Sequence, residues 1–301
     1  MLLLSEVTLI GIKEKNGKVI LNPDKEYIIL KDDLLVVIAE DDDVDIALNE
    51  YLIVDKKLNE LKISLDTELE KDRLSICILG WSKLGQQIIE RTIPFLSEDS
   101  EIHFAYKEEL VHKAPKLSNQ YKINHNTTIL NHEQNKDIEK ILINNIFDVI
   151  LIVGYDDVTS KEVSDTNSLL LNFYVRSILD RQKNNKPTRI IIQLNDGTKE
   201  ELIPKNKYNE LIVSDTLSAL MISQLADNPR LWDVFEELFS FKGLKINMST
   251  IFKYLDTKDI KSIKVIDLIL LALEKNQIFI GYILQDKLHL NPPKSKEIII
   301  D

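Results

Sequence analysis

The residues best suited by type and spacing to bind a ligand lie on two glycine loops. The first, Leu79-Gly80-Trp81-Ser82-Lys83-Leu84-Gly85, follows an apolar run and opens a helical pattern. In that setting a G-x-G-x-x-G loop lets backbone N–H groups approach a pyrophosphate. Gly80 and Gly85 hold the outer positions, but Ser82 stands at the middle glycine position and Trp81 adds bulk beside it. The loop is a degenerate dinucleotide site with Gly80, Trp81 and Ser82 as candidate ligand contacts, and Trp81 reads equally well as a cap on a sheet. The second loop, Gly154-Tyr155-Asp156-Asp157, adds Gly154 and Tyr155 as candidate contacts. Its adjacent carboxylates, Asp156 and Asp157, are hard oxygen donors of the kind calcium takes, and they are also what a solvated loop carries.

Other acidic groups are weaker signals. Glu108 and Glu109 lie near the place of a ribose-binding acid but follow Tyr106 and Lys107. The run Glu40 to Asp45 lacks the D-x-D-x-D-G spacing of a calcium loop and reads as a solvated turn. Catalytic constellations are harder to find: there is no G-x-S-x-G elbow, no H-E-x-x-H and no P-loop. His103 falls inside a strand pattern, where packing is the simpler reading, and Ser214 reads as the N-cap of a helix over Thr216–Ala226. Nothing assembles a nucleophile, a base and an orienting group. The chain reads as a binding module and not an enzyme. The alternative is a soluble nucleotide-dependent Rossmann-type oxidoreductase, which would require nicotinamide binding despite Ser82.

Composition narrows the partners. A net charge of -11 disfavours nucleic acid and anionic lipid, both of which need a positive surface. A single cysteine, Cys77, excludes an intrachain disulfide and fits a reducing compartment. The strongest apolar run, Val265 to Leu273, is interrupted by Asp267 and falls well short of the roughly 20 residues of a membrane span. Membrane association must therefore come from another chain or another part of the gene product.

The elements that would position these loops follow from periodicity. Val7–Ile12 and Lys18–Leu21 read as strands joined by Asn16-Gly17, Tyr27–Leu30 as an extended run, and Leu34–Ala39 as a further strand. Residues 46–72 read as a charged, partly helical linker. From Leu74 onward, apolar strands alternate with helices: strands over Leu74–Leu79, Ile102–Tyr106, Thr128–Leu130, Val149–Val153, Arg189–Leu194 and Leu211–Val213, with helices over Leu84–Leu96, Asp137–Asn145 and Ser168–Arg181. Strands buried on both faces and separated by helices predict an α/β, Rossmann-like, doubly wound parallel sheet. Two small β-rich α+β lobes flank it. The expected divisions are 1–45 for the first lobe, 46–72 for the linker, 73–240 for the sheet with its following helices, and 241–301 for the last lobe.

The two lobes resemble each other. Ile10 to Leu30 lies beside Ile280 to Ile300 with a one-residue gap in the turn, offset by one in the spacer, and both stretches read Ile-Gly, strand, turn, strand, Leu-Asn-Pro, spacer, strand. A duplicated lobe on either side of one α/β unit predicts a chain that starts partway through a two-unit array.

Several stretches resemble the cytosolic part of Castor and Pollux type ion channels, built from domains that regulate potassium conductance (RCK domains). They are Lys18–Pro23, Val36–Asp43, Ile78–Trp81, Ile212–Asp215 with Ala219–Ala226, Glu236–Phe239, and Ile280–Tyr282 with Asn291-Pro292. The resemblance implies that the degenerate glycine loop is normal and that both flanking lobes are RCK C-terminal lobes, the first belonging to a preceding unit. It implies a potassium or cation channel's ligand-sensing module, cytoplasmic at the inner membrane face, with a pore-forming segment or subunit as partner. It further implies RCK dimers closing into a homo-oligomeric gating ring. No cofactor is specified; calcium or a nucleotide is the expected regulatory ligand. Helix faces such as Leu217, Leu220, Met221, Ile222 and Leu225 are expected to carry assembly.

Overall fold

The computed structural model describes residues 7–24, 26–39, 73–108, 123–130, 134–154, 160–182, 188–203, 209–240, 244, 246–254 and 261–300. The chain opens with β1 (Thr8–Lys13), β2 (Val19–Leu21) and β3 (Leu34–Ile38), and β1 pairs antiparallel with both others. Gly17 in the turn between β1 and β2 has φ +91°, a conformation that glycine adopts without cost. The acidic run from Glu40 to Asp45 lies outside the described residues.

The α/β part begins with β4 (Ser75–Leu79), α1 (Lys83–Thr92), β5 (Glu101–Lys107), β6 (Asn124–Leu130), α2 (Gln134–Asn144) and β7 (Val149–Ile152). It continues through α3 (Lys161–Gln182), β8 (Arg189–Leu194), β9 (Asn209–Val213) and α4 (Ser214–Asp227). The six strands form one parallel sheet in the order β6-β5-β4-β7-β8-β9, which counted from β4 is the Rossmann order 3-2-1-4-5-6. Alternate residues of β4 serve opposite faces. Cys77 and Leu79 join a core with Ile138 and Leu142 of α2 and Val175 and Ile178 of α3. Ile76 and Ile78 join the other core, with Ile89 of α1 and Ile93 beyond it. The fold is thus the doubly wound α/β architecture that the apolar runs predict.

After α4 come α5 (Leu231–Phe239), β10 (Ser262–Lys264), α6 (Val265–Glu274), β11 (Gly281–Leu284), β12 (Lys287–Leu290) and β13 (Glu297–Ile299). β10 pairs with β13, and β11 with β12. Val265, Leu268, Ile269 and Leu271 of α6 pack with Ile263 and Ile298 in a small core of their own. Two compact units result: Glu70–Pro229 contains the sheet, while the described residues of Met1–Leu69 and Arg230–Asp301 share the other.

Within that second unit the two lobes repeat each other in detail. Gly11 faces Leu21 across the β1–β2 ladder, and Gly281 faces Leu290 across β11–β12. The N–H of Asn22 donates to the Ile10 carbonyl and that of Asn291 to the Ile280 carbonyl, each at 2.9 Å. Both asparagines adopt the left-handed region, φ 48° and 42°. The turns differ as the one-residue gap requires, since β11 and β12 are joined by Gln285-Asp286, both with positive φ, the signature of a tight two-residue hairpin. Each asparagine also reaches the opposite lobe. Asn22 Nδ2 donates to the Asn276 carbonyl at 2.7 Å, and Asn291 Oδ1 accepts from the Thr8 hydroxyl at 2.8 Å. The buried Lys294 amine donates to Thr8 Oγ1 at 3.0 Å and to Asn291 Oδ1 at 3.2 Å, tying the same junction.

One extended run behaves otherwise than expected. Tyr27–Leu30 forms no strand, whereas its counterpart in the last lobe supplies β13. Among the described residues β13 has β10 beside it and Tyr27–Leu30 has no such strand, and a segment without a neighbour gains no ladder.

Candidate functional site

Strand order reverses between β4 and β7, and in a doubly wound sheet ligands settle at the carboxyl ends of the strands flanking that point. Gly80, Trp81 and Ser82 leave the end of β4, and Gly154 lies just past β7. Leu79 pairs with Ile152, and the N–H of Val153 donates to the Leu79 carbonyl at 3.1 Å. Four of the candidate residues therefore share one end of the sheet. Tyr155, Asp156 and Asp157 lie outside the described residues.

On the β4 side the space is filled. Gly80 turns the chain at φ +89°, and its N–H donates to the Ala105 carbonyl at 2.9 Å. Ser82 is the N-cap of α1: its hydroxyl accepts from the Gly85 N–H at 3.1 Å, and the side chain is buried. Free helix N-terminal N–H groups are what an anion takes, and here one of them is spent on the residue that replaces the middle glycine. Trp81 is buried and packs edge-on to Phe104 at 5.7 Å and tilted to Tyr106 at 6.3 Å. A Cβ on Gly85 would lie 3.4 Å from the indole. That is ordinary van der Waals contact, so it is the capped N–H and the packed indole, not the glycine, that leave the loop unfit as a pyrophosphate cradle.

On the β7 side the groups are polar. The Gly154 N–H donates to Gln193 Oε1 at 3.1 Å, and Gln193 Nε2 donates to the Ser214 hydroxyl at 3.0 Å. Asp165, buried near the start of α3, accepts from the Asn195 N–H at 2.9 Å, from Asn195 Nδ2 at 2.8 Å and from the Asp196 N–H at 3.0 Å. Asp196 in turn accepts from the Thr198 N–H and hydroxyl, which hold its carboxyl below the usual carboxylate range. A Cβ on Gly154 would sit 2.7 Å from Ser164 Oγ and 3.0 Å from Gln193 Oε1, so glycine is what lets these groups converge. One and two turns further along α3, Ser168 Oγ and Asn172 Oδ1 are buried without a hydrogen-bond partner. The arrangement gathers amides, serine hydroxyls and a carboxylate at one end of the sheet, bonded to backbone N–H groups and to one another.

Asp165, Gln193 and Asn195 were not expected from the sequence. Their one legible signal is the polar ending of an otherwise apolar strand, Arg189-Ile-Ile-Ile-Gln-Leu-Asn195. Ser214 is not a side-chain N-cap: α4 begins at Ser214 itself, and its hydroxyl faces Gln193 because β9 ends beside β8. His103 sits in β5 as a packed residue, 2.9 Å from Thr128 Oγ1 and edge-on to Phe147, with burial holding its ring below the usual histidine pKa. Burial pushes the Cys77 thiol far up, so it carries no thiolate chemistry. Among the described residues no group of three or more His, Cys, Asp or Glu side chains is placed to hold a metal ion, and no helix is long and apolar enough to cross a membrane.

Comparison with known proteins agrees with the motif resemblance. A family model described as "Castor and Pollux, part of voltage-gated ion channel" matches residues 1–55. The ion channel CASTOR of Lotus japonicus is 24% identical over 94% of this chain and 36% of its own length. The probable ion channel POLLUX of Oryza sativa subsp. japonica is 24% identical over 96% of this chain and 33% of its own length. The chain therefore spans about a third of the length of the curated relatives it matches. Among solved structures, the human SLO3 gating ring matches 75% of this chain and 42% of that chain, at 16% identity and a TM-score of 0.47.

Proposed function

We propose that this chain, a relative of the Castor and Pollux ion channels over nearly its whole length, is the regulatory module of such a channel: a cytoplasmic, ligand-responsive part of a gating ring. The observation that carries the reading is the similarity to the channels across 94% of the chain. The filled β4 loop supports it against an oxidoreductase, because a nicotinamide cofactor would need the N–H that Ser82 caps and the space that Trp81 fills. The module works by population shift: a ligand that binds one ring state better than another biases a pore held by another segment or subunit.

Assembly into a homo-oligomer is supported by α4. Leu217, Leu220 and Ile222 are exposed along a helix that buries no residue within the chain. An apolar helix left bare in this way marks an interaction surface. The polar β7 side is the proposed ligand end, with Gly154, Tyr155, Asp156 and Asp157 as the loop that meets a calcium ion or a nucleotide. The test is a titration of the purified chain with calcium, and separately with adenine nucleotides, following melting temperature and mass by light scattering. A ligand-specific rise in melting temperature with a linked change in mass is expected, and Asp156→Ala with Asp157→Ala should remove any calcium response. A chain that answers neither ligand and stays monomeric would overturn the reading.

A further inference from the structure

A lysine crosses the junction between the two lobes and meets no acid there. Lys294 is 7% exposed, and its amine donates to Thr8 Oγ1 at 3.0 Å and to Asn291 Oδ1 at 3.2 Å. Thr8, itself buried, donates its hydroxyl to the same Asn291 oxygen at 2.8 Å, which closes a triangle of three side chains. The backbone leaves these groups little freedom. Asn291 is fixed by the bond from its N–H to the Ile280 carbonyl and by its left-handed φ of 42°. Pro292 and Pro293 lead from it to Lys294, whose carbonyl accepts from the Ile266 N–H of α6 at 3.1 Å. Lys294 therefore ties α6 of the last lobe to β1 of the first.

The donor count bears on the charge of this amine. An ammonium brings three donors and no acceptor, whereas a neutral amine brings two N–H groups. The junction supplies two acceptors, Thr8 Oγ1 and Asn291 Oδ1. The charged residues of the elements around it are occupied elsewhere or unbonded to it. On β1, Lys13 pairs with Asp233. On α6, Asp267 lies in the first turn and Glu274 at the far end. In its own run, Lys296 lies over the Tyr282 ring and Glu297 accepts from the Ser262 hydroxyl. Among the described residues none of these acids pairs with Lys294. An unpaired buried charge is costly, and such a group gives up its proton instead. Burial accordingly holds the Lys294 amine below the ordinary lysine pKa.

We propose that Lys294 is a proton-sensitive latch between the lobes: as a neutral amine it spends both N–H groups across the junction, and protonation loosens it by leaving a buried charge without a partner. Between the lowered pKa and the ordinary one, about 10.4, the unfolded chain holds a proton that the folded chain gives up. The latch therefore gains stability as pH rises toward that value and loses it as pH falls. The inference rests on contacts between the lobes and not on ligand sensing, so its failure and that of the proposed function are separable.

The test joins an NMR titration of the full chain, labelled with carbon-13 at lysine Cε, to urea unfolding from about pH 7 to about pH 10.5. The Lys294 signal is the one missing from the spectra of both Lys294→Met and Lys294→Arg. Its titration midpoint is expected below the ordinary lysine value. Methionine keeps the length of the side chain and removes the proton site. The urea midpoint of the parent is therefore expected to rise with pH relative to that of Lys294→Met. Lys294→Arg, charged throughout this range, should have the lowest midpoint of the three. A Lys294 titration at or above the ordinary lysine value would overturn the inference. So would a difference between the parent and Lys294→Met that stays constant with pH, or an arginine variant as stable as the parent.

Discussion

The two strand ends that meet at the switch point solve one geometric problem in opposite ways. After β4, the chain turns at Gly80 and closes the space with an indole and a capping hydroxyl. After β7, it stops at a glycine against which an amide, a serine and, through Asn195, a buried carboxylate converge. The first end is held by apolar packing and offers little to a ligand. The second is held by hydrogen bonds, and groups that bond to one another can also bond to something that displaces them. A Rossmann-like sheet therefore keeps its architecture without its usual phosphate cradle, and its polar groups gather at the neighbouring strand end.

Substitutions can break this contrast, beginning with the largest effect. Trp81→Ala removes a buried indole from Phe104 and Tyr106 and should cost about 4 kcal/mol in urea unfolding, as large-to-small core changes do. A loss below about 1 kcal/mol would mean that the ring is not a packing element. Asp165→Asn removes the charge and turns an amide donor toward one of the N–H groups of Asn195 or Asp196. It should cost about 2 to 3 kcal/mol by the same assay, the range for hydrogen bonds to a buried charge. Its second signature is faster amide exchange at Asn195 and Asp196, with no change around Trp81. The smallest change is Ser82→Ala, which should cost about 1 kcal/mol, the ordinary value of an N-cap. A much larger loss would mean that Ser82 does more than cap α1.

The sheet was legible because strands buried on both faces read as unbroken apolar runs, as in Ser75–Leu79 and Val149–Ile152. Its edge was less so: β6 begins at Asn124, but Asn124 to Thr127 are polar and exposed, so only its last residues carried a strand pattern. Likewise α3 begins at Lys161 and not at Ser168, because Ser164 and Asp165 look like surface residues until their buried surroundings are known. The glycine loops could be found by spacing alone. The Asp165–Asn195 contact could not, since it joins residues 30 apart through tertiary packing that no local period records. The lobes show the reverse: their likeness is plain in the order Ile-Gly to Leu-Asn-Pro, but the asparagine contacts between them join residues more than 250 positions apart and leave no mark in local order.

The most direct test of the closed β4 loop is a titration of the Trp232→Phe chain with NADH, reading energy transfer from Trp81 to the nicotinamide. Trp81 is then the only tryptophan in the chain and lies where a bound dinucleotide would pass. The account predicts the emission of a buried indole with no saturable transfer up to millimolar NADH. Saturable transfer at micromolar NADH, competed by NAD, would contradict it and return the chain to the dinucleotide-binding enzymes.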